Sequence, residues 1–232
     1  MNSPSSFYRV ACRRCLRPQA GCLCALVRPT AHHTEVLVLQ HPQEQRQAKN
    51  SVALLRLSLA KCEVIVGERF SPGTLQTLLQ RPGRHTRLLY PDVQGAPAPA
   101  VPGAMQGPIW GPVAEPTAAV PLRLVVLDAT WRKSLRMLIE HPALAALPRL
   151  SLQAPAPTRY RAIRAARRVD QVSTLEATVQ ALAMLEDASF DAAPLLDAFE
   201  RFVAGVAARQ RPQAGLALAL NGTAPHDQGL TR

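Results

Sequence analysis

The chain has 232 residues, 47% of them hydrophobic, enough for one sizeable α/β domain with small additions. Its formal net charge is +11, and only three of its 27 cationic residues are lysines (Lys49, Lys61, Lys133). No apolar stretch reaches the length of a membrane span, and the N-terminus lacks a signal peptide's apolar segment, so a soluble cytoplasmic protein is expected, with no membrane and no protein partner implied.

Residues 1–30 read as a Cys-rich, Pro-containing module. Cys12, Cys15, Cys22 and Cys24 follow the spacing C-x2-C-x6-C-x-C. A reducing compartment disfavours disulfides, and four close thiolates suit a tetrahedral, structural zinc ion. A set of reduced, unliganded thiols is the alternative. Four Cys would leave no open coordination position, which argues against a catalytic metal. Arg13, Arg14, Arg17 and Arg28 flank the cluster, where they would ease thiolate formation or meet phosphates. Cys62 precedes an apolar run and reads as a core thiol.

From there the chain alternates. "EVLVLQHP" is a strand from Glu35 to about Gln40, stopped by Pro42. "AKNSVALLRLSLA" has helical spacing, with Val52, Leu55 and Leu59 on one face. "CEVIVG" is a second strand, "PGTLQTLLQ" a short helix opened by Pro72, and "TRLLYPD" a third strand ended at Pro91. Residues 91–121, rich in Pro, Ala and Gly, predict a long surface loop or flap. "LRLVVLD" is the next strand and "ATWRKSLRMLIEH" its helix. "RLSLQ" is a candidate fifth strand, followed by helices over "STLEATVQALAMLED" and "PLLDAFERFVAGVAARQ". The organisation is therefore a module over 1–30, an α/β domain over 31–209 and a flexible tail over 210–232, with a mostly parallel sheet flanked by helices.

Ligands of such sheets sit beyond the carboxyl ends of the strands. Three of those ends are polar or Pro-marked: "LQHP", "LYPD" and "LDATW". No glycine-rich dinucleotide fingerprint or phosphate loop follows a strand. Asp128 stands where its strand runs out, with Thr130 and Trp131 just beyond. A helix cap is the plain reading of Asp128 or Thr130, and a buried first-turn position that of Trp131. The functional reading is an acid aimed into the ligand crevice beside a flat ring for a base or nucleoside. Ser173 and Glu176 fit an S-x-x-E capping box, and the same helix start offers amides to a carboxylate or phosphate. "TRYRAIRAARR" sets Tyr160 among Arg159, Arg161, Arg164, Arg167 and Arg168, either an RNA contact segment or a solvated loop. Arg132, Lys133 and Arg136 follow the DATW turn.

Taken in order, these features resemble the DTW-domain family. They are the C-x2-C…C-x-C cluster, "LQHPQE" followed by Arg46 and "NS", "LLYP", D-x-T-W as Asp128-Ala129-Thr130-Trp131, and "STLEA". They span roughly residues 12–186, and the ordered set is specific where each motif alone is weak. One departure is Ala129, where relatives often carry Gly; a turn needing positive φ there would be strained.

The resemblance implies a SPOUT-like α/β fold with a knotted cofactor site. It also implies transfer of the 3-amino-3-carboxypropyl group of S-adenosylmethionine to N3 of a tRNA uridine, in bacterial members in the variable loop, with release of methylthioadenosine. On that reading Asp128 is the base or orients N3–H, Thr130 positions, and Trp131 stacks and excludes water. Tyr90, Pro91, Asp92 and Leu127 line the cofactor pocket. The helix beginning at Ser173, with Thr174 and Glu176, holds the methionine carboxylate. Arg46 and Asn50 complete the pocket, and Arg132, Arg159, Tyr160, Arg161, Arg164, Arg167 and Arg168 meet tRNA. A SPOUT-type tRNA methyltransferase and a non-catalytic zinc-containing RNA-binding protein are the alternatives.

Overall fold

A computed structural model describes residues 10–91, 121–152, 172–186 and 188–210. The arginine segment 158–168, Asp92, the interior of the Pro-rich stretch and residues 211–232 lie outside the described residues.

Five parallel strands form one sheet in the order β2-β1-β4-β3-β5. They are β1 (Glu35–Gln40), β2 (Cys62–Val66), β3 (His85–Leu89), β4 (Leu122–Asp128) and β5 (Arg149–Leu150). The helices are α1 (Pro42–Gln45), α2 (Val52–Ser58), α3 (Pro72–Leu79), α4 (Trp131–Glu140), α5 (Pro142–Ala145), α6 (Thr174–Leu185) and α7 (Ala193–Gln210). Two short 3-10 turns, Gln19–Gly21 and Cys24–Leu26, belong to the Cys-rich segment.

β1 and β4 read as continuous apolar runs because both of their faces are covered. Alternate side chains divide between two cores. Val36, Val38, Leu124 and Val126 meet α2, α6 and α7 on one face. Leu37, Leu39, Leu88 and Val125 meet α3, α4 and α5 on the other. Each such fully buried aliphatic side chain contributes about 1.5–3 kcal/mol. Cys15, Leu23 and Val27 of the Cys-rich segment are buried in the first core, against the helices of that face. Cys62 is half-buried there, and burial pushes its thiol up to about 12.

The connections after β1 and β4 leave in opposite directions. After β1 the chain goes to α2 on the first face; after β4 it goes to α4 on the second. A crevice between neighbouring strands opens where connections diverge in this way, so the ligand site of the sheet is expected between the ends of β1 and β4. The last residues of those strands, Gln40 and Asp128, are paired in register. By the period of two, both point to the first face, like Val38 and Val126.

Several expected elements are displaced by a turn or less. α4 begins at Trp131 rather than Ala129, and β5 is cut to two residues. Two single-turn helices, α1 and α5, were not expected; each is opened by a proline, which suits a first helical position. The turn at Ala129 needs no left-handed residue. Among the described residues positive φ occurs only at Leu16 (φ 60) and Gly83 (φ 70), so the exchange of Gly for Ala brings no strain there.

Candidate active site

Asp128 is buried at the end of β4, and its carboxylate accepts three hydrogen bonds from neutral donors. Gln40 Nε2 donates to Oδ2 at 2.9 Å from the neighbouring strand. Asn50 Nδ2 donates to the same oxygen at 2.7 Å from the loop before α2. Thr174 Oγ1 donates to Oδ1 at 2.7 Å from the first residue of α6. The orientation of the Asn50 amide is fixed independently, because its Oδ1 accepts the Val52 backbone N–H at 3.0 Å. A carboxylate offers about four acceptor positions, so one remains on Oδ1 for a ligand.

Asp128 is therefore not a helix cap. Thr130 occupies the N-cap of α4, its side chain making no cap bond, and its carbonyl accepts from Ser134 N–H at 2.8 Å. The Asp128 carbonyl accepts from His41 N–H at 2.9 Å, which holds the end of β1 against the end of β4. Trp131 follows at the first position of α4 and is 48% exposed, which excludes the buried first-turn role. Its ring meets Tyr90 edge-on, with centroids 5.8 Å apart at 71°. Tyr90 itself is buried, with its hydroxyl 3.3 Å from Ser134 Oγ and the Arg149 guanidinium over its ring. It forms the wall behind Trp131, leaving the indole as the accessible ring.

The four clustered thiols have the geometry of a metal centre. All four Sγ atoms lie within 4.8 Å of one another, with Cys12 to Cys24 at 3.6 Å and Cys15 to Cys22 at 3.8 Å. Four sulfurs about 2.3 Å from one tetrahedral ion lie about 3.8 Å apart, so the set could hold a metal ion with little movement. Backbone N–H groups of Cys15 and Arg14 point at the Cys12 thiol and bring it down to about 6, while burial raises Cys24 to about 12.

The DTW domain model matches residues 9–207, most of the chain and including this cluster. The chain belongs to the DTW domain family. This DTW protein is 32% identical over 186 residues to the tRNA-uridine aminocarboxypropyltransferase 2 of Drosophila melanogaster, covering 77% of the chain and 67% of the relative. It is 28% identical to the Macaca fascicularis protein of the same name (77% and 57%) and 32% identical to tRNA-uridine aminocarboxypropyltransferase A of Arabidopsis thaliana (56% and 50%). The chain thus spans between half and two thirds of the length of these relatives. No solved structure matches it.

Within this DTW domain the expected site residues separate into groups. Asp128, Asn50 and Thr174 are joined by hydrogen bonds, and Trp131 and Tyr90 by ring contact. Ser173 and Glu176 form the full capping box, Ser173 Oγ accepting from Glu176 N–H and Glu176 Oε2 from Ser173 N–H. Leu127 points to the second core and Pro91 follows β3, both half-buried. Arg46, at the C-cap of α1, and Arg132, in the first turn of α4, are exposed. Asp92, Arg159, Tyr160, Arg161, Arg164, Arg167 and Arg168 lie outside the described residues. Lys133 ties the rim together, reaching Gln43 Oε1 at 2.6 Å and Glu44 at 3.7 Å.

Gln40 was not among the residues expected at the site. Its signal, a polar residue closing an apolar strand, is visible in the sequence; its pairing with Asp128 is not. Of the arginines beside the cluster, Arg28 and Arg17 bond to backbone carbonyls of the protein itself.

Proposed function

We propose that this protein is a tRNA-uridine aminocarboxypropyltransferase, moving the 3-amino-3-carboxypropyl group of S-adenosylmethionine to N3 of a tRNA uridine. The observation that carries the reading is the buried Asp128 carboxylate, held by Gln40, Asn50 and Thr174 beside the half-exposed Trp131. The similarity to proteins named for this activity supports it.

S-adenosylmethionine supplies an electrophilic γ-carbon and a neutral leaving group, methylthioadenosine. Positioning of the nucleophile selects that carbon over the methyl. Trp131 stacks the uracil and excludes water. The acceptor position left on Asp128 Oδ1 takes the N3–H and receives its proton. The in-plane lone pair this frees on N3 then bonds to the γ-carbon as the carbon–sulfur bond breaks and methylthioadenosine leaves. Gln40, Asn50 and Thr174 keep that carboxylate from turning. Thr130 holds the turn between Asp128 and Trp131.

The cofactor pocket lies at the strand ends beside the β1–β4 divergence, with Tyr90, Pro91 and Leu127 on one side and the start of α6 at Ser173, Thr174 and Glu176 on the other, and Asp92, next in the chain after Pro91, belongs to it as well. The N-terminus of α6 suits the methionine carboxylate, because its helix dipole and the first-turn amides outside the Ser173–Glu176 capping box favour an anion. A SPOUT-like cofactor site belongs to this reading, supported by the parallel sheet and by α6 returning to the end of β4 after β5. Arg46, Arg132, Arg159, Tyr160, Arg161, Arg164, Arg167 and Arg168 meet the tRNA, and a variable-loop uridine is the target. Zinc fills the Cys12, Cys15, Cys22, Cys24 set in a structural role, and the compartment is the cytoplasm.

The experiment is to incubate purified protein with bulk tRNA and S-adenosylmethionine and identify both products. Methylthioadenosine and an aminocarboxypropyl-uridine are expected. S-adenosylhomocysteine would assign a methyltransferase, and no cofactor consumption a binding protein.

A further inference from the structure

The Cys-rich turn and Asp128 are linked by one side chain. Arg17 lies two residues after Cys15, and its own carbonyl accepts from Cys12 N–H at 2.7 Å, so its backbone is part of the metal-binding turn. Its guanidinium leaves that turn and crosses to the loop before α2. It donates to the Asn50 carbonyl at 2.7 Å and to the Ala48 carbonyl beside it. It also donates to Gly21 O at 3.2 Å within its own loop, and its head lies over the Phe202 ring of α7 at 5.2 Å. A planar fork with several fixed donors suits this task, which a lysine's single ammonium can fill only in part.

What Arg17 holds is the backbone of the residue whose side chain holds Asp128. The backbone bonds of residues 46–50 among the described residues are local turn contacts: Arg46 N–H and Gln47 N–H to Glu44 O, and Asn50 N–H to Gln47 O. Those bonds shape the loop but do not anchor it to the rest of the fold. Anchors of the loop to the rest of the fold include the Arg17 fork on its carbonyls and the Asn50 side chain on Asp128, Gln40 and the Val52 N–H. A second arginine works alongside. Arg56 of α2 donates to the Arg14 carbonyl at 2.9 Å, fixing the C-x2-C turn over the same helix.

We propose that Arg17 is a positioning residue through which the metal-held turn sets Asn50 on Asp128. The Cys cluster then serves the active site as well as the fold. With the turn closed by a metal, Arg17 has a fixed root and the 46–50 loop a fixed position. With the turn open, the fork loses its root and the 46–50 loop its fixed position beside Asp128. The inference rests on the reading of Asp128 as the site's acceptor.

The test uses the full chain with its metal and three variants, Arg17→Gln, Arg17→Lys and Asn50→Ala. Amide hydrogen exchange over residues 46–52 is read beside β4 as the reference for global opening. Arg17→Gln should keep its metal and exchange about 10-fold or more faster at 46–52, the factor that one lost charge-assisted hydrogen bond carries. Arg17→Lys should fall between it and wild type, and serves alone if Arg17→Gln does not fold. Chelating the metal from wild type should speed the same segment beyond any change in β4.

In transfer assays Arg17→Gln should lower kcat on the order of 10- to 100-fold, the cost of a small misplacement, with KM for tRNA little changed. Unchanged exchange at 46–52 in the arginine variants overturns the proposal. So does a loss confined to KM for tRNA, which would make Arg17 an RNA contact. Normal transfer by Asn50→Ala would instead overturn the reading of Asp128, and the exchange data would still decide whether Arg17 and the metal hold the loop.

Discussion

Asn50 donates its side-chain amide to Asp128 at 2.7 Å across 78 positions of sequence. The same amide's oxygen caps the Val52 N–H at the start of α2, so one side chain fixes both a helix entrance and a carboxylate. With Gln40 and Thr174 it turns Asp128 from a strand-end acid into a fixed acceptor at the divergence of β1 and β4.

Thr174 tests whether that fixation matters. Thr174→Val keeps the shape and removes the hydroxyl that donates to Asp128 Oδ1. Stability should fall by about 1.5–3 kcal/mol, and single-turnover transfer should slow about 10-fold or more, since the carboxylate can then rotate. Transfer at the wild-type rate would mean that Oδ1 needs no such restraint.

Trp131 should matter to binding far more than to stability. It is half-exposed, and among the described residues Tyr90 is the ring it touches. Trp131→Ala should change stability by less than about 1 kcal/mol. It should weaken uridine or tRNA binding by the equivalent of about 1–3 kcal/mol, the worth of one base stacked on an aromatic ring. Quenching of indole fluorescence on titration with uridine-containing oligonucleotide, lost in the variant, would be the direct sign.

How much of this was legible in the sequence depended on range. The strand over Glu35–Gln40 and the helix opened by Ser173 follow from local pattern and a capping box, and both stand where expected. Asp128 was also visible, as a polar stop to an apolar run. Asn50 and Thr174 were also expected as pocket residues, but their bonds to Asp128 were not visible, because its three donors come from three different elements and meet only when β1 pairs with β4 and α6 returns to the sheet. Gln40 is the clearest case: nothing local separates a strand-end glutamine from a site residue. Arg17 likewise read as one more cation beside a thiol cluster, since its partners lie some thirty positions away.

The cysteine centre should carry one zinc ion per chain by elemental analysis, with the content reduced in Cys22→Ser. Removing the ion should lower the melting temperature by more than about 5 °C, since a ligand that binds only the folded chain stabilises it by its binding free energy. Metal-free protein purified from zinc-replete cells would refute the assignment.

A pH dependence is expected at the other end of α6. Burial, the largest influence on Glu186, pushes its carboxyl up, yet the backbone N–H groups of Thr34 and His33 together hold it below its ordinary value. A depressed folded value means stability that is present above the unfolded value, about 4.3, and is lost as pH falls through the folded one. Glu186→Gln should therefore melt lower than wild type near pH 7, with the gap closing as the solution is acidified. A constant gap from pH 7 to pH 3 would show that the two N–H bonds carry no charge-dependent stability.

The most direct measurement concerns Asp128→Asn, by single-turnover transfer to tRNA and thermal melting of the same sample. The substitution keeps size, and the asparagine oxygen can still accept from Gln40 and Asn50 while its amide meets Thr174, so stability should fall by no more than about 2 kcal/mol. It removes the negative charge that would receive the N3 proton, and transfer should fall about 100- to 10,000-fold. Transfer close to the wild-type rate from a folded Asp128→Asn protein would contradict the account, leaving the buried carboxylate as a brace between β1, α2 and α6.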